Sequence, residues 1–192
     1  MSKYLFVGSH CDDLELCAGG TITKLINQGY DVMIVTLSHI YNGQDLLSEW
    51  MDSMMVLRPA SIQYKNFHPR TPDRQEILDY LCTLKADYVI THSSKDIHQA
   101  HKIVGEEAER AFKFTNLLTF TGEWNQRTNT KNYFVTLTKE DVERKLSALS
   151  CYKSQSHRPY MNPDFIWANA MNTGVMAGVK YAEAFQVVNL IN

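Results

Sequence analysis

Near its start this 192-residue chain carries His10-Cys11-Asp12-Asp13-Leu14-Glu15, one histidine followed by two adjacent carboxylates. A His-x-Asp-Asp cluster supplies two metal ligands and a spare carboxylate. The second dense polar cluster is His92-Ser93-Ser94-Lys95-Asp96-Ile97-His98-Gln99-Ala100-His101. His98 and His101 stand three apart, so a first helical turn puts them on one face. Two His and one carboxylate form a common open zinc site, whose fourth position is left to a water of lowered pKa. A neighbouring carboxylate then serves as general base, and a second His can donate to a developing oxyanion. Cys11 lies inside the first cluster, but its neighbours already supply a full set of ligands.

Both clusters sit where an α/β sheet places its ligands, just past the carboxyl end of a strand. The apolar run Tyr4-Leu5-Phe6-Val7 predicts a first strand over Lys3–Val7, with Ala18-Gly19-Gly20 and a helix over Thr21–Gln28 beyond the cluster. Strand and helix signals then alternate: a strand at Asp31–Leu37, a helix at Asp45–Leu57, a short strand at Ser61–Tyr64 and a helix at Pro72–Leu84. The Asp87–Thr91 strand leads into the second cluster. Asp96 with Gln99 reads as a capping box that starts a helix over Ile97–Phe112. Strands at Leu117–Phe120, Tyr133–Leu137 and Ala184–Leu190 and a helix at Glu140–Tyr152 complete the pattern. Alternation of this kind predicts βαβ units, a mostly parallel sheet and a Rossmann-like three-layer α/β domain over residues 1–192. Right-handed crossovers bring the strand ends to one rim, and with them the two clusters. The polar stretches Gly122–Lys131 and Ser154–Pro163 read as loops that can wall a pocket.

Composition excludes several classes. Hydrophobic residues make up 44% and charged residues 21%, as in an ordinary globular chain. The net charge of −2, with no long basic run, argues against nucleic acid or an anionic membrane surface as partner. No apolar run reaches the roughly 18 residues of a membrane span. Four cysteines without a Cys-x-x-Cys pair, and Met1-Ser2-Lys3 without a signal-peptide layout, predict reduced thiols in a cytoplasmic protein. A dinucleotide site would need a Gly-x-Gly-x-x-Gly turn after the first strand, which Gly8, Gly19 and Gly20 do not make.

The chain resembles the PIG-L/LmbE family of zinc-dependent N-deacetylases. That family's His-Pro-Asp-Asp-x-Glu signature with a double glycine stands here as His10-Cys11-Asp12-Asp13-Leu14-Glu15 with Gly19-Gly20. Its His-x-x-His segment stands as His98-Gln99-Ala100-His101. Its C-terminal element is similar to Tyr152-Lys153-Ser154-Gln155 with Gly178-Val179-Lys180-Tyr181-Ala182-Glu183-Ala184-Phe185. The resemblance implies zinc, or ferrous iron on the same donors, held by His10, Asp13 and His101. It implies Asp12 as general base, His98 as oxyanion or leaving-group partner, and Glu15 as a structural partner. It further implies a small N-acetyl sugar or glycoconjugate as substrate, and leaves a homo-oligomer open.

Departures from the family pattern bear on the substrate. Cys11 replaces a proline, and Ala100 replaces an aspartate that can brace a ligating histidine. Leu46 stands where an arginine often precedes the Glu49 position, and Asn172-Thr173-Gly174 lacks another. Arg70 in Pro69-Arg70-Thr71-Pro72 is the candidate replacement for substrate binding. Another amide or formamide hydrolase on the same centre, or a non-catalytic metal- or sugar-binding protein, are the competing readings.

Overall fold

The computed structural model describes residues 1–127 and 131–191. In chain order the strands are β1 (Lys3–His10), β2 (Asp31–Ser38), β3 (Ile40–Tyr41), β4 (Gln44–Asp45), β5 (Ser61–Tyr64), β6 (Tyr88–His92), β7 (Asn116–Phe120), β8 (Tyr133–Leu137) and β9 (Tyr181–Asn189). The helices are α1 (Asp13–Asn27), α2 (Leu47–Leu57), α3 (Arg74–Thr83), α4 (Gln99–Ala111), α5 (Lys139–Leu149) and α6 (Pro163–Met176). Seven strands form one sheet in the order β5-β2-β1-β6-β7-β9-β8, and β3 pairs with β4 as a separate hairpin. The five strands from β5 to β7 are parallel; β9 runs antiparallel to both β7 and β8. The expected mostly parallel, three-layer arrangement is present.

Alternation along the strands divides the core in two. Leu5, Val7, Met33, Val35, Val89 and Leu117 face α3 and α4, where they meet Ile77, Leu81, Val104, Ala108 and Phe112. Phe6, Val32, Ile34, Ile90 and Leu118 face the other way, against Ile22 of α1, Trp50 and Leu57 of α2, Val142 of α5 and Ile166 of α6. Buried on both faces, the central strands are near-continuous apolar runs, as parallel strands must be.

Three elements differ from the sequence expectation. The helix α1 starts at Asp13, directly after β1, rather than at Thr21. Gly19 and Gly20, rather than bounding it, are packing contacts inside it: a Cβ on Gly20 would stand 2.5 Å from Leu137 Cδ1. The sequence gives no signal for helix α6, because Phe165, Ile166, Trp167, Ala170, Met171 and Val175 lie all round it and leave no single apolar stripe. The helix α4 begins at Gln99, and Asp96 does not cap it; that carboxylate is used by the site instead. No helix among the described residues is long and apolar enough to cross a membrane.

Candidate metal centre

Strands β1 and β6 are hydrogen-bonded neighbours with Val7 opposite Thr91, so their last residues, His10 and His92, emerge side by side at one rim. The helix α1 starts there with Asp12 and Asp13, and α4 brings His98 and His101 to the same place. The approach of α4 depends on Gly105, where a Cβ would stand 2.5 Å from the Ser94 backbone nitrogen. His10, Asp13 and His101 are 4%, 6% and 6% exposed, too enclosed to be ordinary surface polar groups.

Hydrogen bonding fixes which ring atoms are bare. His10 Nε2 lies 2.6 Å from the Pro69 carbonyl, which can only accept, so that nitrogen carries the proton and Nδ1 of the neutral ring keeps its lone pair. His101 Nδ1 lies 3.1 Å from Asp96 Oδ2, so by the same logic its Nε2 is bare. The two bare nitrogens face each other at 3.3 Å. His101 Nε2 is 3.4 Å from Asp13 Oδ1, and His10 Nδ1 is 3.4 Å from Asp13 Oδ2. Lone pairs turned toward one another repel unless a cation lies between them. A tetrahedral zinc site with bonds of about 2.0–2.2 Å has ligand–ligand edges of about 3.3–3.6 Å. The donor set therefore fits a divalent cation in chemistry, and the facing pair of nitrogens fits one in spacing. Ligand atoms of His10, His98 and His101 lie within 4.8 Å of one another, as do those of Asp13, His92 and His101. The expected trio of His10, Asp13 and His101 straddles the two groups.

His92 has no role in the sequence reading. Its Nε2 lies between two partners and serves one of them, accepting from the Ser9 amide at 3.0 Å or donating to Asp13 Oδ2 at 3.1 Å, and its ring stacks on His101 with centroids 4.0 Å apart. It thus packs against both the carboxylate and one ring of the trio. The signal available was its position, the last residue of a strand beside β1. Ala100, the missing brace, is fully buried, and Asp96 supplies the acceptor for His101 from the preceding turn.

Electrostatics separate the twin carboxylates. Burial would raise both, but the His101 and His92 rings beside it hold Asp13 well below the usual carboxylate range. Asp12 is pushed well above it by burial, then by Asp13 and Glu15. Burial and the proximity of His92 lower His101 to about 4, and burial and His10 lower His98. Asp12 sits in the left-handed region, with φ of 83°. That costs a non-glycine residue about 1 kcal/mol or more, and a hydrogen-bond chain holds it. The Asp12 amide donates to Tyr152 Oη at 3.1 Å, and Tyr152 donates to Glu15 Oε1 at 2.6 Å. Ser53 donates to the same oxygen at 2.7 Å. Glu15 thus has the structural role expected of it.

The cleft in front of these groups has a volume of about 160 Å³ and is lined by His10, Cys11, Asp12, Asp13, Leu16, Tyr41, Leu46, His98, His101, Trp124, Asn125, Arg158 and Tyr160. Asp12 and His98 therefore face the same space as the trio. The two polar stretches read as pocket walls do line it, through Trp124 and Asn125 and through Arg158 and Tyr160. Residues 128–130 of the first lie outside the described residues. Arg70 does not line the cleft; it is exposed and donates to Asn42 Oδ1 at 2.6 Å. Arg158, which the sequence did not single out, is the arginine at this site. Cys11 turns its thiol toward the Ser38 carbonyl, 3.9 Å away.

No family model matches the chain, and no curated protein matches it. Solved structures do. N,N'-diacetylchitobiose deacetylase from Pyrococcus horikoshii superposes with a TM-score of 0.82 at 22% identity, over 97% of this chain and 84% of that one. The chain has the fold of that enzyme. GalB, the 4-carboxy-2-hydroxymuconate hydratase of Pseudomonas putida, is similar over 100% of this chain and 98% of its own, with a TM-score of 0.79 at 19% identity. A zinc-inhibited form of teicoplanin deacetylase Orf2 matches over 97% of each chain, with a TM-score of 0.76 at 11% identity. The PIG-L/LmbE resemblance is thus met at the level of the fold. Identities this low carry the fold alone, and one of the three enzymes is a hydratase, so the reaction must be argued from the site.

Proposed function

We propose that the chain is a metal-dependent hydrolase that removes the N-acetyl group from an N-acetylated amino sugar or sugar conjugate. The observation that carries this reading is the convergence of the bare nitrogens of His10 and His101 with the Asp13 carboxylate at 3.3–3.4 Å, beside a second carboxylate that is not among them. His10, Asp13 and His101 hold the metal, zinc or ferrous iron, in this reading. When bound, such an ion supplies acidity to a water and a Lewis acid to a carbonyl oxygen. Asp12 accepts the water proton at its carboxylate as the water attacks the acetamide carbon. His98 then stabilises the tetrahedral oxyanion or hands a proton to the departing amine, which leaves as the free amino sugar with acetate as co-product. Similarity to two deacetylases supports the assignment of the bond cleaved. A domain spanning 1–192, acting in the cytoplasm on a small glycoconjugate and without a nucleic-acid partner, is part of the same proposal.

The hydratase among the similar structures favours a second reading, in which the same activated water adds to a carbon–carbon double bond. One experiment separates them. The purified protein is assayed for bound metal by elemental analysis, loaded with zinc or ferrous iron, and screened against N-acetyl sugars with primary-amine detection. Amine release that needs the metal supports the deacetylase. Metal binding without amine release from any amide, together with hydration of an unsaturated carboxylic acid, replaces it with the second reading. A protein that binds neither metal overturns both.

A further inference from the structure

The wall facing the metal trio holds a cation that the proposed chemistry does not use. Arg158 lies on the Ser154–Pro163 segment, its guanidinium 4.8 Å above the Tyr41 ring, with one N–H donated to the Tyr160 hydroxyl. Tyr160 is fixed in turn by stacking on Trp124, ring centroids 4.1 Å apart and planes 14° from parallel. The guanidinium is therefore clamped at the cleft between aromatic groups, only part-buried. No carboxylate among the described residues lies within 4.0 Å of it, although Asp12 shares the cleft. A planar fork held in place presents parallel donors to a carboxylate or phosphate at little further cost in entropy. Leu46, on the same cleft, offers only apolar surface, so it does not compete for that group.

We infer that Arg158 is the specificity-determining residue of this site, and that the substrate carries an anionic substituent, a carboxylate or a phosphate, beside the group that reacts. This rests on the proposed reaction for what sits at the metal, but the anion preference is a property of binding and is measured without turnover. The cleft is small against the roughly 300–1,000 Å³ of a drug-sized ligand site, so it takes the reacting end of the substrate and its nearest substituent.

The test is calorimetric titration of the metal-loaded full-length protein with four probes: N-acetylglucosamine, N-acetylmuramic acid, N-acetylglucosamine 6-phosphate and succinate. At least one anionic sugar should bind about tenfold or more tightly than the neutral one, the range of a charge-assisted hydrogen bond. That advantage should shrink with added salt. Which anionic sugar gains distinguishes a carboxylate from a phosphate. Arg158→Gln should weaken the anionic sugars far more than the neutral one and bring the two within about twofold of each other. Arg158→Lys, which keeps the charge and loses the fork, should fall between. The inference is overturned if the anionic sugars bind no better than the neutral one, or if Arg158→Gln weakens all probes equally, as loss of a merely structural wall would. It is also overturned if no probe, succinate included, binds in a way the substitution weakens. Anion preference lost in Arg158→Gln without amine release from any sugar would keep this role and reject the deacetylase.

Discussion

The two walls of the cleft are built by different means. On one side His10, Asp12, Asp13, His98 and His101 come from strand ends and the first turns of α1 and α4. Several of these groups are held by partners that are themselves buried: Asp96 beside His101, His92 beside Asp13, and Tyr152 and Glu15 for the Asp12 backbone. On the other side Tyr41, Trp124, Arg158 and Tyr160 come from a two-residue hairpin strand, a loop and a single 3-10 turn over Pro159–Met161 that Arg158 precedes, and brace one another mainly by ring stacking. A rigid wall suits groups that must be placed to a fraction of an ångström, and a loop wall suits recognition that varies with the ligand. Damage to the first wall should therefore remove metal or chemistry, and damage to the second should change affinity.

The largest effect is expected from the trio. His101→Ala should leave the protein without stoichiometric metal by elemental analysis and lower amide turnover by about a thousandfold or more, since an ion in this role supplies several kcal/mol. Asp12→Ala should keep the metal and still lose about a hundred- to ten-thousandfold in turnover, as loss of a general base does. If Asp12→Ala loses the metal too, the twin carboxylates do not divide their tasks. Chelation should then show how far the trio depends on its ion. For a cation at a thousand times its Kd the stabilisation is about 4 kcal/mol, which for a chain of this size lowers the melting temperature by roughly 8–16 °C. An unchanged melting curve in the presence of a strong chelator would mean that the facing lone pairs are satisfied in some other way.

The bracing groups come next. Asp96→Ala leaves His101 Nδ1 without its acceptor and should weaken metal affinity about 10–100-fold, read by competition with a chromophoric chelator. Tyr152→Phe removes the hydroxyl between the Asp12 amide and Glu15. It should cost about 1–3 kcal/mol in denaturant unfolding while the metal content stays at the wild-type level.

The first wall was also the legible one. Residues 10–13 and 98–101 stand out because His and Asp are rare neighbours in such patterns and follow apolar runs that can only be buried strands. What the sequence concealed about this wall was partnership across space: Asp96 looked like a local cap, and His92 like the end of a strand, until the fold brought both against His101 and Asp13. The second wall left almost no trace. Arg158 and Trp124 sit in polar, aperiodic segments, where neither helical nor strand spacing says which side chain turns inward. An arginine two residues from a tyrosine has no distinctive pattern, and Arg70 lay as near to a turn. The same argument covers α6, whose apolar residues circle the helix and give no direction.

The smallest predicted effect tests the second wall alone. Trp124→Ala removes the ring on which Tyr160 stacks, and with it the clamp on Arg158. An aromatic pair contributes about 0.5–1.5 kcal/mol beyond its buried area, so KM should rise about two- to tenfold. Metal content and kcat should stay within about twofold of wild type, because Trp124 is not among the ligating groups and Asp12 is held from the opposite side by Tyr152. Steady-state kinetics on the best substrate measure both constants at once. An equal fall in kcat would show that the loop wall also shapes the reacting geometry, and the two walls would no longer be separable in function.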